Sequence, residues 1–298
     1  MKKAYVVGNN VKTSLSPTIF QYWFKKYNID GEYGYLEFKN DKIFEKKIIE
    51  HILFDNGLVG FNITIPYKEK IISTLNRSTN HNLQLSSHAA NIGAINFLNL
   101  TRDLGPNPMP GGLCWSGDNT DIRGFEKSLK KQKKLKKGKA IVIGFGGASK
   151  AIIYSLVLQG FNEIHIFNRN FEKLISGLNN WSKKLHIPQH VWNPKPHKLE
   201  DLKKHTNKGD LIVNTTPVNV LEDLPNWEIG PKTTGFDIVY NPRGGTGFLK
   251  HFKPNKRIEG IQMLVYQAVP CFKMWFGVEP EIDEELFDVL YKKMDKKK

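Results

Sequence analysis

Apolar positions along the chain switch between two periods, and the switching outlines the elements. The run Ala4-Tyr5-Val6-Val7 predicts a strand over Lys3–Gly8. Ile19, Phe20, Trp23 and Phe24 recur at helical spacing and predict a helix over Pro17–Tyr27. Strand signals follow at Tyr33–Phe38 and Leu58–Ile65, on either side of a helical pattern at Asp41–Phe54. Such alternation predicts an α/β layer with a mostly parallel sheet. A second series begins at Ala140–Ile143, a short apolar strand. It continues as a helix over Ala148–Gln159, a strand over Glu163–Phe167, a helix over Phe171–Leu185, and strands at Asp210–Asn214 and Gly235–Tyr240. The segment Pro188–His197, rich in proline and polar residues, matches neither period. Ile261–Phe276 reads as an apolar helix that Pro270 is expected to kink or split. A last helix starts near Pro280 and Glu281, with Ile282, Leu286, Val289 and Leu290 on one face.

The length of 298 residues fits two ordinary domains. A hydrophobic fraction of 40% excludes a disordered chain. No run reaches the ~18 apolar residues of a membrane span, and Ala4–Val7 is too short for a signal-peptide core. Cys114 and Cys271 make neither a disulfide framework nor a zinc spacing, so a cytoplasmic location is expected. His186, His190 and His197 fit no standard metal site, and none is assigned. The net charge of +15 comes largely from Lys, since only six of 44 basic residues are Arg. Eight Lys fall within Lys127–Lys139 without interleaved aromatics. That pattern favours a solvated face or linker over a nucleic-acid surface. A basic surface would also draw anionic substrates and cofactors.

The clearest chemistry lies at Gly144-Phe145-Gly146-Gly147-Ala148, which follows a strand and opens a helix. Glycines there allow a tight turn and let backbone N–H groups approach a pyrophosphate. A site for NAD commonly ends the second strand with an acid that holds the ribose 2′-hydroxyl. Here the strand ends in Asn168-Arg169-Asn170, without an acid. Arg169 suits a 2′-phosphate and Lys173 offers a second cation, so NADP is the expected cofactor.

Polar groups also collect at strand and helix ends in the first series. Ser16 is expected to cap the first helix with Pro17 at its first position, and Ser14 adds a second hydroxyl. In Asn62-Ile63-Thr64-Ile65-Pro66-Tyr67-Lys68, alternation places Asn62 and Thr64 on one face and Phe61, Ile63 and Ile65 on the other. Open α/β sheets bind ligands at such strand ends. Asn96, the Asn119-Thr120-Asp121 segment and Gln267 are further polar points.

Taken in order, these segments resemble the shikimate dehydrogenase family. The resemblance rests on Ser14-Leu15-Ser16-Pro17, Asn62 to Lys68, Gly93-Ala94-Ile95-Asn96, Asn119-Thr120-Asp121, Gly144 to Ala148, Asn168-Arg169-Asn170 and Met263 to Ala268. It implies a substrate-binding domain over 1–121, completed by C-terminal helices in 261–298, and a Rossmann NADP-binding domain over 122–260. It implies reversible reduction of 3-dehydroshikimate to shikimate, with no nucleic-acid or membrane partner, by a monomer or homodimer. Lys68 would be the acid/base, with Asp121 as its catalytic companion. Ser14 and Ser16 would hold the substrate carboxylate, and Thr64, Asn96, Asp121 and Gln267 its hydroxyls. Tyr240 matches another substrate position. Gly144, Gly146, Gly147, Ala148, Asn168, Arg169, Lys173, Ile238 and Gly260 would line the cofactor. The chain departs from the family at Phe20-Gln21, where His-Asn is common, and at Asn170, where Thr is usual. Asp103–Gly112 reads as an expanded loop.

Three rival readings differ in what they need. A quinate/shikimate paralogue using NAD needs a strand-end acid that is missing at Arg169. A non-catalytic NADP-binding regulator has no use for Lys68, Asp121 and Gln267 together. A basic nucleic-acid binder needs aromatic or Arg readers that the Lys-rich stretch lacks.

Overall fold

A computed structural model describes residues 1–77, 82–102, 113–185, 187, 191–217, 228–240 and 245–296. The chain divides into two compact units, Met1–Thr120 with Ala268–Lys293, and Asp121–Gln267 with Met294–Lys298.

In the first unit the elements run β1 (Lys2–Gly8), α1 (Ser16–Tyr27), β2 (Gly31–Glu37), α2 (Asp41–Phe54), β3 (Leu58–Ile63), α3 (Lys70–Arg77), β4 (Asn82–Leu85), α4 (Ser87–Ile92), β5 (Phe97–Arg102) and β6 (Leu113–Asp118). The strand order is β2-β1-β3-β5-β6-β4. Strands β1, β2 and β3 are parallel, whereas β5 runs antiparallel to both β3 and β6. One core packs Phe44, Ile48 and Ile52 of α2 with Phe61 and Ile63 of β3 and with Tyr67, Ile71 and Trp115.

Three expectations need correction here. Strand β3 ends at Ile63, and Ile65 is 67% exposed instead of sharing the core face of Phe61. The cap position of α1 is taken by Leu15, and Ser16 is already helical; the Ser14 hydroxyl accepts from the Ser16 N–H at 3.2 Å. Of the two outcomes expected at Pro270, a kink or a split, the split does not occur, since the helix runs on over Gly260–Phe276. Although a proline removes one backbone donor, Phe272, Trp275 and Phe276 of that helix pack against Phe20 and Phe24 of α1. Buried aromatic contacts of this kind outweigh one lost hydrogen bond.

The second unit contains α5 (Asp121–Lys130), β7 (Lys139–Ile143), α6 (Gly147–Leu158), β8 (Glu163–Asn168), α7 (Phe171–Ser182), β9 (Pro194–Lys198), β10 (Leu211–Asn214), β11 (Thr234–Asp237), α8 (Gly247–Lys250) and β12 (Arg257–Glu259). Helix α9 (Gly260–Phe276) contributes to both units, and α10 (Glu284–Asp295) closes the chain. The sheet order is β12-β11-β10-β7-β8-β9, parallel throughout. Its central strands are fully buried runs such as Ala140-Ile141-Val142-Ile143, as a sheet covered on both faces requires. The segment without a period contains edge strand β9, where Pro194 and Pro196 are tolerated because one side carries no partner strand. The Gly235–Tyr240 strand is shorter than expected and ends at Asp237, while α7 ends at Ser182. Of the eight Lys in Lys127–Lys139, all but Lys139 are exposed. The Asp103–Gly112 loop lies outside the described residues.

Candidate active site

The substrate-side residues of the first unit are fixed by backbone pairing around the end of β3. Thr64 donates its N–H to Val7 at 2.8 Å and accepts from Tyr67 at 2.9 Å. Tyr67 stacks on Phe44 with centroids 4.0 Å apart, and its hydroxyl donates to the Phe38 carbonyl at 2.7 Å. Lys68 follows that anchor directly and is only 9% exposed. The Lys68 carbonyl accepts from Ile95 at 2.9 Å, and the Asn96 carbonyl accepts from Ile63 at 2.9 Å. Lys68, Thr64 and Asn96 are thereby brought to one end of the sheet. The Asn96 side-chain oxygen accepts from Thr120, from its N–H at 2.7 Å and its hydroxyl at 3.2 Å.

Ser14 and Ser16 stand half-buried at the start of α1, and a chain of polar groups reaches this region from Tyr33. The Tyr33 hydroxyl donates to the Asn62 side-chain oxygen at 2.7 Å. Asn62 in turn donates to the Asn96 carbonyl at 3.2 Å and to the Cys271 sulfur at 3.3 Å. Burial, and then the Cys271 thiol, push the Tyr33 phenol well above its ordinary range, so Tyr33 stays a neutral donor. Phe20, standing where His is common in the family, stacks on Tyr33 at 3.8 Å. Tyr33 and Cys271 escape sequence reasoning because neither belongs to a local motif.

Asp121, Gln267 and Tyr240 belong to the second unit. Asp121 is 3% exposed at the start of α5, where the helix dipole favours a carboxylate. Gly124, one turn on, lets α9 approach closely: an added Cβ would stand 2.6 Å from the Met263 carbonyl and 3.1 Å from Gln267 Cβ. This bare glycine is the overlooked sequence signal that brings the Asp121 helix and the Gln267 helix together. Tyr240 is half-buried beyond β11, whose Asp237 accepts from Asn214 at 3.0 Å and from the Val239 N–H at 3.1 Å.

The cofactor-side residues cluster at the C-terminal ends of β7 and β8. Gly144 has φ +104°, and a side chain there would meet Thr215 Oγ1 at 2.6 Å. Ser149 bonds both the Gly146 N–H (3.1 Å) and Thr215 Oγ1 (2.6 Å), holding the turn. At Gly146, by contrast, nothing lies within 4 Å of an added Cβ. A phosphate can therefore reach the N–H groups of Gly147 and Ala148 at the start of α6. A cleft of about 110 Å³ beside this turn is lined by Gly144, Asn168, Arg169, Leu199, Thr216 and Pro217. Arg169 is exposed, and among the described residues no acid pairs with it. Asn170 caps α7 by accepting from Lys173 at 2.8 Å, which sets Arg169 and Lys173 at one helix start. Ile238 and Gly260 are neighbours, since a Cβ on Gly260 would stand 2.3 Å from the Ile238 carbonyl. These residues fit a dinucleotide with a 2′-phosphate: an open glycine at a helix start, and two exposed cations just after the next strand.

Fold and site together define an α/β oxidoreductase with a Rossmann-type nucleotide-binding unit. Residues 6–98 match the family model described as shikimate dehydrogenase substrate binding domain, and residues 126–220 match shikimate / quinate 5-dehydrogenase. The chain is 32% identical to the shikimate dehydrogenase (NADP(+)) of Caldicellulosiruptor saccharolyticus, with 100% of both chains covered. It is also 32% identical to that of Pelagibacter ubique, covering 97% of this chain and 99% of the relative. Among solved structures it is similar to shikimate dehydrogenase from Aquifex aeolicus, at TM-score 0.75, 28% identity and coverage of 98% and 97%. The chain belongs to the shikimate dehydrogenase family.

Proposed function

We propose that the protein is an NADP-dependent shikimate dehydrogenase, reversibly reducing 3-dehydroshikimate to shikimate for aromatic amino-acid biosynthesis. The observation that carries this reading is the placement of nearly buried Lys68 beside the Asn96–Thr120 polar cluster, on a chain matched end to end by curated NADP-dependent enzymes. A structure named as shikimate dehydrogenase in complex with NADP+, 26% identical with TM-score 0.73, supports the cofactor.

The residues divide the work as follows. Ser14 and Ser16 hold the substrate carboxylate through hydroxyls at the start of α1. Thr64, Asn96, Asp121 and Gln267 bind the ring hydroxyls, and Tyr240 adds a phenol. The reduced nicotinamide supplies the hydride. As negative charge grows on the ketone oxygen, Lys68 Nζ stabilises it and transfers a proton to it. Asp121 is its catalytic companion. Gly146, Gly147 and Ala148 take the pyrophosphate, and Arg169 with Lys173 the 2′-phosphate. Among the described residues no helix is long and apolar enough to cross a membrane.

The test measures nicotinamide reduction with shikimate or quinate and with NADP or NAD in all four combinations. Turnover is expected to be highest with shikimate and NADP. Absence of turnover with shikimate and either cofactor would overturn the reading.

A further inference from the structure

On the second sheet, three histidines converge that no local motif links. His165 lies on β8, His197 on edge strand β9, and His205 follows the 3-10 turn Leu199–Lys204. The strands pair in parallel with Phe167 opposite His197, so His165, Phe167 and His197 share one face. His165 Nδ1 is 2.9 Å from His197 Nε2, and one ring nitrogen from each of the three histidines lies within 4.8 Å of the others.

The geometry points to a site for one divalent transition-metal ion, Zn2+ or Co2+, held by His165, His197 and His205 with water completing its shell. The orientation of the buried member supports this. Glu163 Oε2 lies 2.9 Å from His165 Nε2 and accepts its proton, which leaves Nδ1 as a lone pair aimed at the other two rings. A carboxylate behind a histidine in this way is a recurring support for metal-bound imidazole. Three nitrogen donors, with no thiolate or converging carboxylate among the described residues, suit Zn2+ or Co2+ and not Ca2+ or Mg2+. The half-exposed rings of His197 and His205 leave access for the ion and for water.

The surrounding charges are mixed. Lys139 Nζ approaches His205 Nδ1 at 3.5 Å, Lys195 pairs with Glu163 at 3.3 Å, and Asp201 and Lys204 pair with each other at 2.6 Å. The ion must move the Lys139 ammonium aside, while Glu163 and Asp201 offset part of the repulsion. A bound ion would pin β9 and the following turn to β8. Leu199 of that turn lines the cleft that contains Arg169. The inference does not depend on the reaction proposed above.

The test uses the full, untagged chain after chelator treatment. Co2+ is titrated in and followed by its visible absorption, then displaced by Zn2+. A single equivalent with the spectrum of a low-coordinate ion is expected, reversed by Zn2+. His197→Ala and His205→Ala, at half-exposed positions and with far-UV circular dichroism as the folding check, are expected to weaken binding at least tenfold. Glu163→Gln is expected to weaken it about tenfold to a hundredfold. Absence of a visible band in the parent chain, or an unchanged band in both folded histidine variants, would overturn the assignment.

Discussion

Asn96 and Thr120 are joined twice through one oxygen: the Thr120 N–H and hydroxyl both donate to Asn96 Oδ1, at 2.7 and 3.2 Å. Both residues are buried, at 4% and 2% exposure, so neither donor has water as a ready substitute. Asn96→Ala leaves two buried donors unpaired, which costs about 1–3 kcal/mol per group at most. Asp121 follows Thr120 directly, and the substitution is expected to disturb it as well. Urea denaturation should show a lower midpoint, and the KM for shikimate should rise. A normal midpoint with normal KM would show that the pair has no structural weight.

Lys68 is the only residue for which a proton-transfer role is proposed, and its backbone is fixed independently of its side chain by the Ile95 hydrogen bond. Lys68→Met keeps length and apolar packing while removing the ammonium. General acid–base contributions predict a fall in kcat of about a hundredfold to ten-thousandfold. Shikimate binding, read by calorimetry, should persist. Near-normal kcat would remove Lys68 from the mechanism.

Arg169 offers an exposed guanidinium with no acidic partner among the described residues. A charge-assisted contact contributes about 1.5–3 kcal/mol, or roughly tenfold to a hundredfold in affinity. Arg169→Ala should raise the KM for NADP by that factor and change the KM for NAD little. Equal changes for both would show that Arg169 does not read the 2′-phosphate.

Two glycines separate cofactor approach from packing. At Gly146 an added Cβ meets nothing within 4 Å, whereas at Gly60 it would lie 2.1 Å from the Leu98 carbonyl and 2.3 Å from Trp275 Nε1. Gly146→Ala should leave thermal stability unchanged and raise the KM for NADP, because the methyl group fills the space a pyrophosphate needs. Gly60→Ala should lower thermal stability sharply, since backbone and a buried indole must move. An unstable Gly146→Ala protein would mean that its glycine serves the fold.

What the sequence disclosed follows from how local the controlling forces are. The strand–turn–helix at Ile143–Ala148 and the Arg169 strand end are legible because a turn, a dipole and a missing acid act within a few residues. Helix α2 is legible because Phe44, Ile48 and Ile52 repeat at one turn. Strand β9 is hidden because its prolines oppose strand propensity, and only its edge position permits them. Likewise Ser16 looks like a cap, yet the helix starts one residue earlier and Leu15 takes the cap position. His197 carried no signal beside His186 and His190, which lie outside the described residues. Its partners are 32 and 8 positions away; strand pairing brings His165 to it, and the 3-10 turn after β9 brings His205.

The same histidines make stability depend on pH when no metal is present. Burial, followed by repulsion from His205 and His165, lowers His197 from its ordinary 6.5 to about 4, and His165 and His205 shift in the same direction. Between these values the unfolded chain binds more protons than the folded one, so stability rises with pH. The stability is fully present above about pH 6.5, is lost progressively as pH falls, and reaches its floor below about pH 4. Chelator-treated protein should therefore melt at lower temperature as pH falls through this window, and His197→Asn should flatten the dependence. Carboxylates such as Glu163, held below their usual range by His165 and Lys195, add a slope of the same sign nearer the acid end. The histidine contribution is thus the part that disappears in the variant, and an identical pH profile for both proteins would exclude it.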